Sequence, residues 1–272
     1  EKSTYVACKD NGEPYATWEV HPSFNPSEFN SLREKNKSLA EAMFECKPGF
    51  SEDMFFQNDK PLLLAFEARY AEADIVVESE GAKYKNNWED ILDGKYSIDG
   101  TGYFCIHVDL GYTHNKAALG IAHKISEDRS DDGDYQSVIK VDALQCYYPE
   151  ESTGEINFTK IREDIFKIKS NGYPIWKVTL DHFQSADFKQ ILNHSGINCE
   201  LVHFDRNTTI YDTFKDIIDL GRLYGFFDVN LIYEFLRLQK IYGRKIVAAG
   251  DAPKDAADAI AGAVYHASLM PV

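Results

Sequence analysis

The sequence predicts an α/β fold with a mixed central sheet, three antiparallel strands followed by alternating strands and helices, flanked by helices. Three observations carry that expectation. Between residues 102 and 148, three apolar runs succeed one another across short turn-rich loops, as in an antiparallel meander. After residue 158, segments with helical apolar spacing alternate with short strand-like runs. Two of the apolar runs end on an aspartate, Asp109 and Asp181, and a third aspartate, Asp255, opens the last helical segment.

Taken in order, residues 15–20 read as a short strand that Pro22 and Pro26 terminate, and residues 38–45 as a short helix capped by Ser38. Residues 78–99 are polar and read as a connector, so residues 1–100 form a linker or partial subdomain ahead of a main domain at 101–272. The first core strand ends at Asp109, with Gly111 in a tight turn. Residues 116–124 are the second strand, 126–134 an exposed hairpin tip, and 135–148 the third strand. A helix at 158–169 places Ile161, Ile165, Phe166 and Ile168 on one face. Residues 175–181 are the fourth strand. Ser185 caps a helix that Gly196 closes, and residues 199–204 are the fifth strand. Residues 209–224 read as one amphipathic helix through Tyr211, Phe214, Ile217, Ile218 and Leu223. A helix at 230–238, a strand at 245–248 and a final helix at 255–269 complete the chain. This order matches the ribonuclease H-like layout.

Composition bounds the function. The 272 residues are 44% hydrophobic and 13% aromatic, ample for a packed core, and no apolar run is long enough to span a bilayer. A chain that opens on Glu1 reads as a fragment or a processed product, to which a partner domain belongs. Cys8, Cys46, Cys105, Cys146 and Cys199 are odd in number and scattered, without CxxC spacing, which argues against zinc sites and disulfide frameworks and fits a reducing cytosol. The net charge of −15 argues against tight, independent binding of nucleic acid. It leaves room for catalysis on a strand delivered by another domain, with bound cations reversing the local field.

Singly, Asp109 suits a turn with Gly111, Thr113 and Asn115, whereas Asp181, Asp255 and Asp258 suit helix N-termini. Jointly they read differently. In the inferred layout the first and fourth strands are neighbours, so Asp109 and Asp181 project from one sheet edge. Asp255, on the first turn of a helix crossing the sheet, closes a triangle. Asp258 lies one turn further along the same face, as a fourth ligand, an outer group or a solvated acid. Clustered carboxylates repel one another and call for divalent cations, and oxygen ligands suit Mg²⁺ or Mn²⁺. Two such ions would activate a water and stabilise a leaving oxygen in phosphodiester hydrolysis. His107 shares a strand face with Asp109 and is expected to be buried and hydrogen-bonded. His114, His182 and His203 are weaker candidates. Lys116, Lys124, Arg129, Arg206 and Arg222 are candidate DNA contacts, with solvated surface charge as the blander reading. Phe226, Phe227, Tyr233 and Phe235 read as core.

The segments 104–111, 180–185 and 253–259 resemble motifs of the nuclease domain of tailed-phage terminase large subunits, as do 211–215 and 220–223 between them. The resemblance covers residues 102–270, and residues 15–20 resemble the region between that family's two domains. It implies a ribonuclease H-like endonuclease that cuts concatemeric double-stranded DNA, with Asp109, Asp181 and Asp255 as catalytic metal ligands and a two-ion Mg²⁺ or Mn²⁺ site. It also implies partnership with a terminase ATPase domain absent from this chain, the portal and the small terminase subunit, in the host cytoplasm and transiently at the procapsid portal, with no membrane. Some members carry a histidine just before the last acidic motif, where this chain has Pro253 and Lys254. No GxxxxGK[ST] loop occurs. Two alternatives stand beside this reading. Residues 109–113 also resemble the phosphate loop of actin-like ATPases and sugar kinases, although no duplicated core or second glycine-rich loop accompanies them. The other alternative is a non-catalytic docking module of a packaging motor, with the aspartates as caps.

Overall fold

The computed structural model describes residues 4–8, 14–19, 54–70, 77–79, 81, 83–100, 102–110, 116–129, 135–181, 185–203, 208–241, 245–250 and 252–271. The chain forms two compact units, Glu1–Gln57 and Asn58–Val272. In the first, β1 (Thr4–Cys8) pairs antiparallel with β2 (Pro14–Glu19). The helix expected at 38–45 lies outside the described residues.

The second unit opens with α1 (Lys60–Ala65), then β3 (Ala68–Tyr70) paired with β4 (Val77–Ser79), then α2 (Trp88–Leu92). The stretch read as a connector is therefore structured. Trp88, Ile91 and Leu92 of α2 are buried in the main core, and Asn87 ties the segment down, its backbone N–H reaching the Asp142 carbonyl at 3.0 Å. The polar surroundings of those three apolar residues hid them from a reading by texture.

The central sheet has six strands. β5 (Phe104–Asp109), β6 (Ala117–Arg129) and β7 (Tyr135–Tyr147) form the antiparallel meander. β8 (Ile175–Asp181) and β9 (Cys199–Val202) add in parallel beyond β5, each reached through a helix, α3 (Phe158–Ser170) and α4 (Ala186–His194). Beyond α5 (Thr209–Asp219), the two-residue strand β10 (Leu223–Tyr224) lies parallel to β7, giving the order β10-β7-β6-β5-β8-β9. This is the ribonuclease H-like order expected from the sequence. The meander's arms are longer than expected, since pairing runs out to Arg129 opposite Tyr135. The helix expected across 209–224 is shorter too. Gly221, at φ +66°, turns the chain after Asp219, and Leu223 is buried from a strand instead. A helical period that continues by coincidence into a short strand cannot be divided by spacing alone.

α6 (Val229–Leu236), the hairpin of β11 (Leu238–Ile241) and β12 (Lys245–Ala248), and α7 (Asp255–Ser268) complete the unit. The two faces of β5 part the core. Phe104, Ile106 and Val108 join Ile161, Ile165 and Ile168 of α3 and Phe188 and Leu192 of α4. On the other face lies α7, where Ala256, Ala257, Ala259, Ile260, Ala261, Gly262, Ala263 and Val264 are all buried. A helix so rich in alanine forms readily and, being small all round, sits close to the sheet. That closeness is measurable. A Cβ on Gly120 of β6 would stand 2.5 Å from the Ala259 carbonyl oxygen, and one on Gly262 would stand 2.4 Å from the His107 ring.

Candidate functional site

The register of two parallel strands sets the site. Val108 of β5 stands opposite Leu180 of β8, so Asp109 and Asp181, the next residues, end neighbouring strands at the same carboxyl edge. In open α/β sheets that edge is where ligands gather. Alternation then fixes the face. Val108 and Leu180 point into the α3 side of the core, whereas His107 and Thr179 point to the α7 side, joined by a hydrogen bond of 2.8 Å between His107 Nδ1 and Thr179 Oγ1. Two residues further, Asp109 and Asp181 share the His107 and Thr179 face.

α7 brings the other two acids to that face. Asp255 and Asp258 occupy its first turn, are 8% and 4% exposed, and are fixed from three sides. Glu234 of α6 accepts the Ala257 N–H at 3.0 Å, pinning the helix start, and is itself held by Lys116. Asp258 accepts the Tyr211 hydroxyl on one oxygen and the Lys254 ammonium on the other. Asp255 Oδ2 is buried with no hydrogen-bond partner.

The electrostatics agree with a shared site. Burial, then Asp258 and Asp255, and lastly Asp181 push the Asp109 carboxyl well above the usual carboxylate range, while Lys254 pulls it down. Burial raises Asp258 as well, opposed by the charge and hydrogen bond of Lys254. Asp255 is pushed up to about 6, first by burial and then by Glu234, with Lys116 opposing. Asp109, Asp255 and Asp258 thus hold their protons more tightly than carboxyls in water do. Among the described residues, no three His, Cys, Asp or Glu side chains lie in metal-ligating array. Both oxygens of Asp258 are engaged, by Tyr211 and by Lys254. In donor chemistry the group still fits a hard divalent cation: the donors are all carboxylate oxygens, and one of them, the buried Asp255 Oδ2, has no hydrogen-bond partner.

A consequence for stability follows from Asp255. A carboxyl raised from 3.8 to about 6 in the folded chain binds its proton more tightly there than when unfolded. Its contribution to stability is therefore full below pH 3.8 and is lost as pH rises through about 6, amounting to about 3 kcal/mol. Urea unfolding in EDTA at pH 4.5 and 7.5 should show Asp255→Asn losing less stability across that interval than the unaltered chain. Identical losses would contradict the burial argument.

The remaining expected residues divide. His107 is fully buried and bonded to Thr179, and burial holds its pKa well below the ordinary value. Lys124 is not a surface cation. It is 1% exposed, bonded to the Met270 carbonyl and at 2.9 Å from Glu127. Its long aliphatic stem explains how a lysine in a strand can be core. Arg222 pairs with Asp128 at 3.1 Å. Ser185 does not cap α4 with its side chain but donates its hydroxyl to the Asp181 carbonyl, bracing the strand end. Phe226 and Phe235 are core, as expected. His203 is half-buried, while His114, His182 and Arg206 lie outside the described residues. Sequence reasoning missed Glu234, although an acid among Leu231, Ile232 and Phe235 in a helix was the available signal. It also missed Tyr211 and Lys254 as partners of Asp258.

A cleft of about 410 Å³ opens at the segment leading into α7, lined by Lys116, Tyr148, Tyr233, Glu234, Arg237 and Pro253. Arg237 is exposed and makes no ion pair among the described residues.

The fold is thus ribonuclease H-like, and its candidate site is a set of four acids at the carboxyl edge under a crossing helix. No protein-family model matches the chain. Among curated proteins it is similar to the uncharacterized protein MJ0330 of Methanocaldococcus jannaschii, at 23% identity over 284 residues, covering 96% of this chain and 47% of that protein. The chain therefore spans about half the length of this relative. Among solved structures it is similar to the HK97 bacteriophage large terminase, with a TM-score of 0.47 and 14% identity over 68% of this chain and 43% of that one. It is also similar to the large terminase nuclease from thermophilic phage G20c, with a TM-score of 0.44 and 14% identity over 67% of this chain and 98% of that one. The same nuclease with bound magnesium gives a TM-score of 0.41 and 15% identity over 67% and 98% of the two chains. Among the described residues no helix is long and apolar enough to cross a membrane.

Proposed function

We propose that residues 101–272 form a metal-dependent endonuclease domain that cuts double-stranded DNA as part of a phage-type packaging terminase. The observation that carries the reading is the convergence of Asp109 and Asp181, from adjacent parallel strands, with Asp255 and Asp258 on the helix above them. Asp109, Asp181 and Asp255 would hold two Mg²⁺ or Mn²⁺ ions, with Asp258 as a further ligand. Bound there, the ions would supply an activated water and charge stabilisation at the leaving oxygen. The protein's own part is positional. Glu234 and Lys116 fix the start of α7, Ser185 fixes the end of β8, and the buried His107–Thr179 pair keeps the two strands in register beneath the acids. The ATPase, portal and small terminase subunit would be the partners that deliver DNA to so acidic a chain.

The test is incubation of supercoiled plasmid with the chain in Mn²⁺, Mg²⁺ or EDTA. Nicking and linearisation are expected with either metal and none in EDTA. Cutting that persists in EDTA, or its absence with both metals, would overturn the reading and favour docking.

The cleft at the segment leading into α7 suits the phosphate backbone of the strand being cut, since Arg237 is an exposed cation at its wall in a chain of net charge −15. Arg237→Glu should weaken DNA binding in Ca²⁺ about tenfold and lower the salt dependence by roughly one phosphate contact. Fluorescence anisotropy across a salt series measures both. Unchanged affinity would remove the cleft from the DNA path.

A further inference from the structure

Lys254 occupies an unfavourable position for a lysine. It is the N-cap residue of α7, where the positive end of the helix dipole disfavours a cation. What compensates it is the acidic cluster. Its ammonium donates to Asp258 Oδ2, while Tyr211 occupies Oδ1, so both oxygens of Asp258 are engaged. The Lys254 charge also reaches Asp109. Asp255, three residues from Asp258 on the same turn, keeps its buried Oδ2 without a partner. One acid of the turn is thus satisfied by an internal cation and the other is left open. Asp258 thus faces Asp109 electrostatically with both of its oxygens already taken by protein donors.

We propose that Lys254 is a built-in counter-ion competing with one divalent cation for Asp258. The site then takes its first cation at Asp109 and Asp181 and a second only when the ammonium swings off Asp258. This inference rests on the metal-dependent reading above and deepens it. It gives a role to the lysine that stands just before Asp255 at the start of α7. An ammonium has only hydrogens to offer and must leave.

The experiment is a count of bound Mn²⁺ by electron paramagnetic resonance, without DNA, on the full chain and on Lys254→Met and Lys254→Arg. The unaltered chain and Lys254→Arg are expected to bind one Mn²⁺ with a second at least tenfold weaker. Lys254→Met is expected to bind the second at least tenfold more tightly than they do. Circular dichroism establishes that each variant is folded, and Lys254→Arg reports on competition by charge if Lys254→Met does not fold. Lys254→Arg binding two ions alike, or Lys254→Met matching the unaltered chain, would overturn the proposal while leaving the nuclease reading intact. No Mn²⁺ bound by any form would overturn both, and that outcome is separable because metal-dependent plasmid cutting would then fail as well.

Discussion

Asp109→Asn should abolish plasmid cutting, lowering the rate by roughly 10³-fold or more, while making the metal-free protein more stable. The loss follows from removing one carboxylate from a site whose charge stabilisation is worth several kcal/mol at the transition state, each 1.36 kcal/mol being tenfold in rate. The gain follows from electrostatics. Burial and the neighbouring acids Asp258, Asp255 and Asp181 disfavour the ionised form of Asp109. At pH 7.5 an amide of the same shape relieves that conflict. A thermal melt in EDTA should therefore rise, while the stabilisation brought by Mn²⁺, about 2.7 kcal/mol at a hundredfold excess over Kd, should shrink. Asp181→Asn should match it in activity. Opposite signs for stability and activity separate a functional acid from a structural one. If Asp109 were only a turn residue, its loss would lower the melting temperature and leave cutting intact. Activity within tenfold of the unaltered chain in both variants would sink the assignment.

Why could the placement of these acids be read from sequence when their surroundings could not? Asp109 and Asp181 each close a run of apolar residues whose strand character is evident, and the meander-then-alternation order dictates that those strands be neighbours. The register of Val108 opposite Leu180 then needs no further information. α7 was legible for a similar reason, because alanine-rich sequence with acids in the first turn has few other uses. What escaped was tertiary. Lys124 looks like a surface cation until the Met270 carbonyl and Glu127 are brought to it by the fold. Glu234, the anchor of α7, meets Ala257 and Lys116 across long sequence separations, and no local pattern encodes that meeting. Leu223 continued a helical period and yet belongs to a strand, since the glycine two residues before it turns the chain. The acids that end elements were accessible because ends are local. The residues that hold those ends in place were hidden because holding is a long-range act.

That dependence on placement leads to the second large effect, at a residue with no chemistry of its own. Gly120 sits mid-strand in β6, where it pairs with His107 on one side and Leu144 on the other. A Cβ there would meet the Ala259 carbonyl oxygen at 2.5 Å and its carbon at 2.7 Å. The obstacle is helix backbone, not the end of a flexible side chain, so Gly120→Ala must lift α7 from the sheet. Overpacking of this kind costs about 1–3 kcal/mol, which for a domain of this size lowers the melting temperature by roughly 2–12 °C. The consequence for the site is larger. Ala259 follows Asp258 directly, and Asp255 rides on the same turn, so a lifted helix withdraws two of the four acids from Asp109 and Asp181. A displacement of about 1 Å can cost roughly 10²-fold in rate. Gly120→Ala is therefore expected to melt early and cut at least 10²-fold more slowly below its melting temperature, with weakened Mn²⁺ binding. Gly262→Ala presses on the root of the His107 ring, which is fully buried and bonded to Thr179, and should be a comparable lesion. If Gly120→Ala melted within a degree of the unaltered chain and kept its activity, α7 would not be seated as closely as its contacts require. The four acids would then owe their convergence to the strand ends alone.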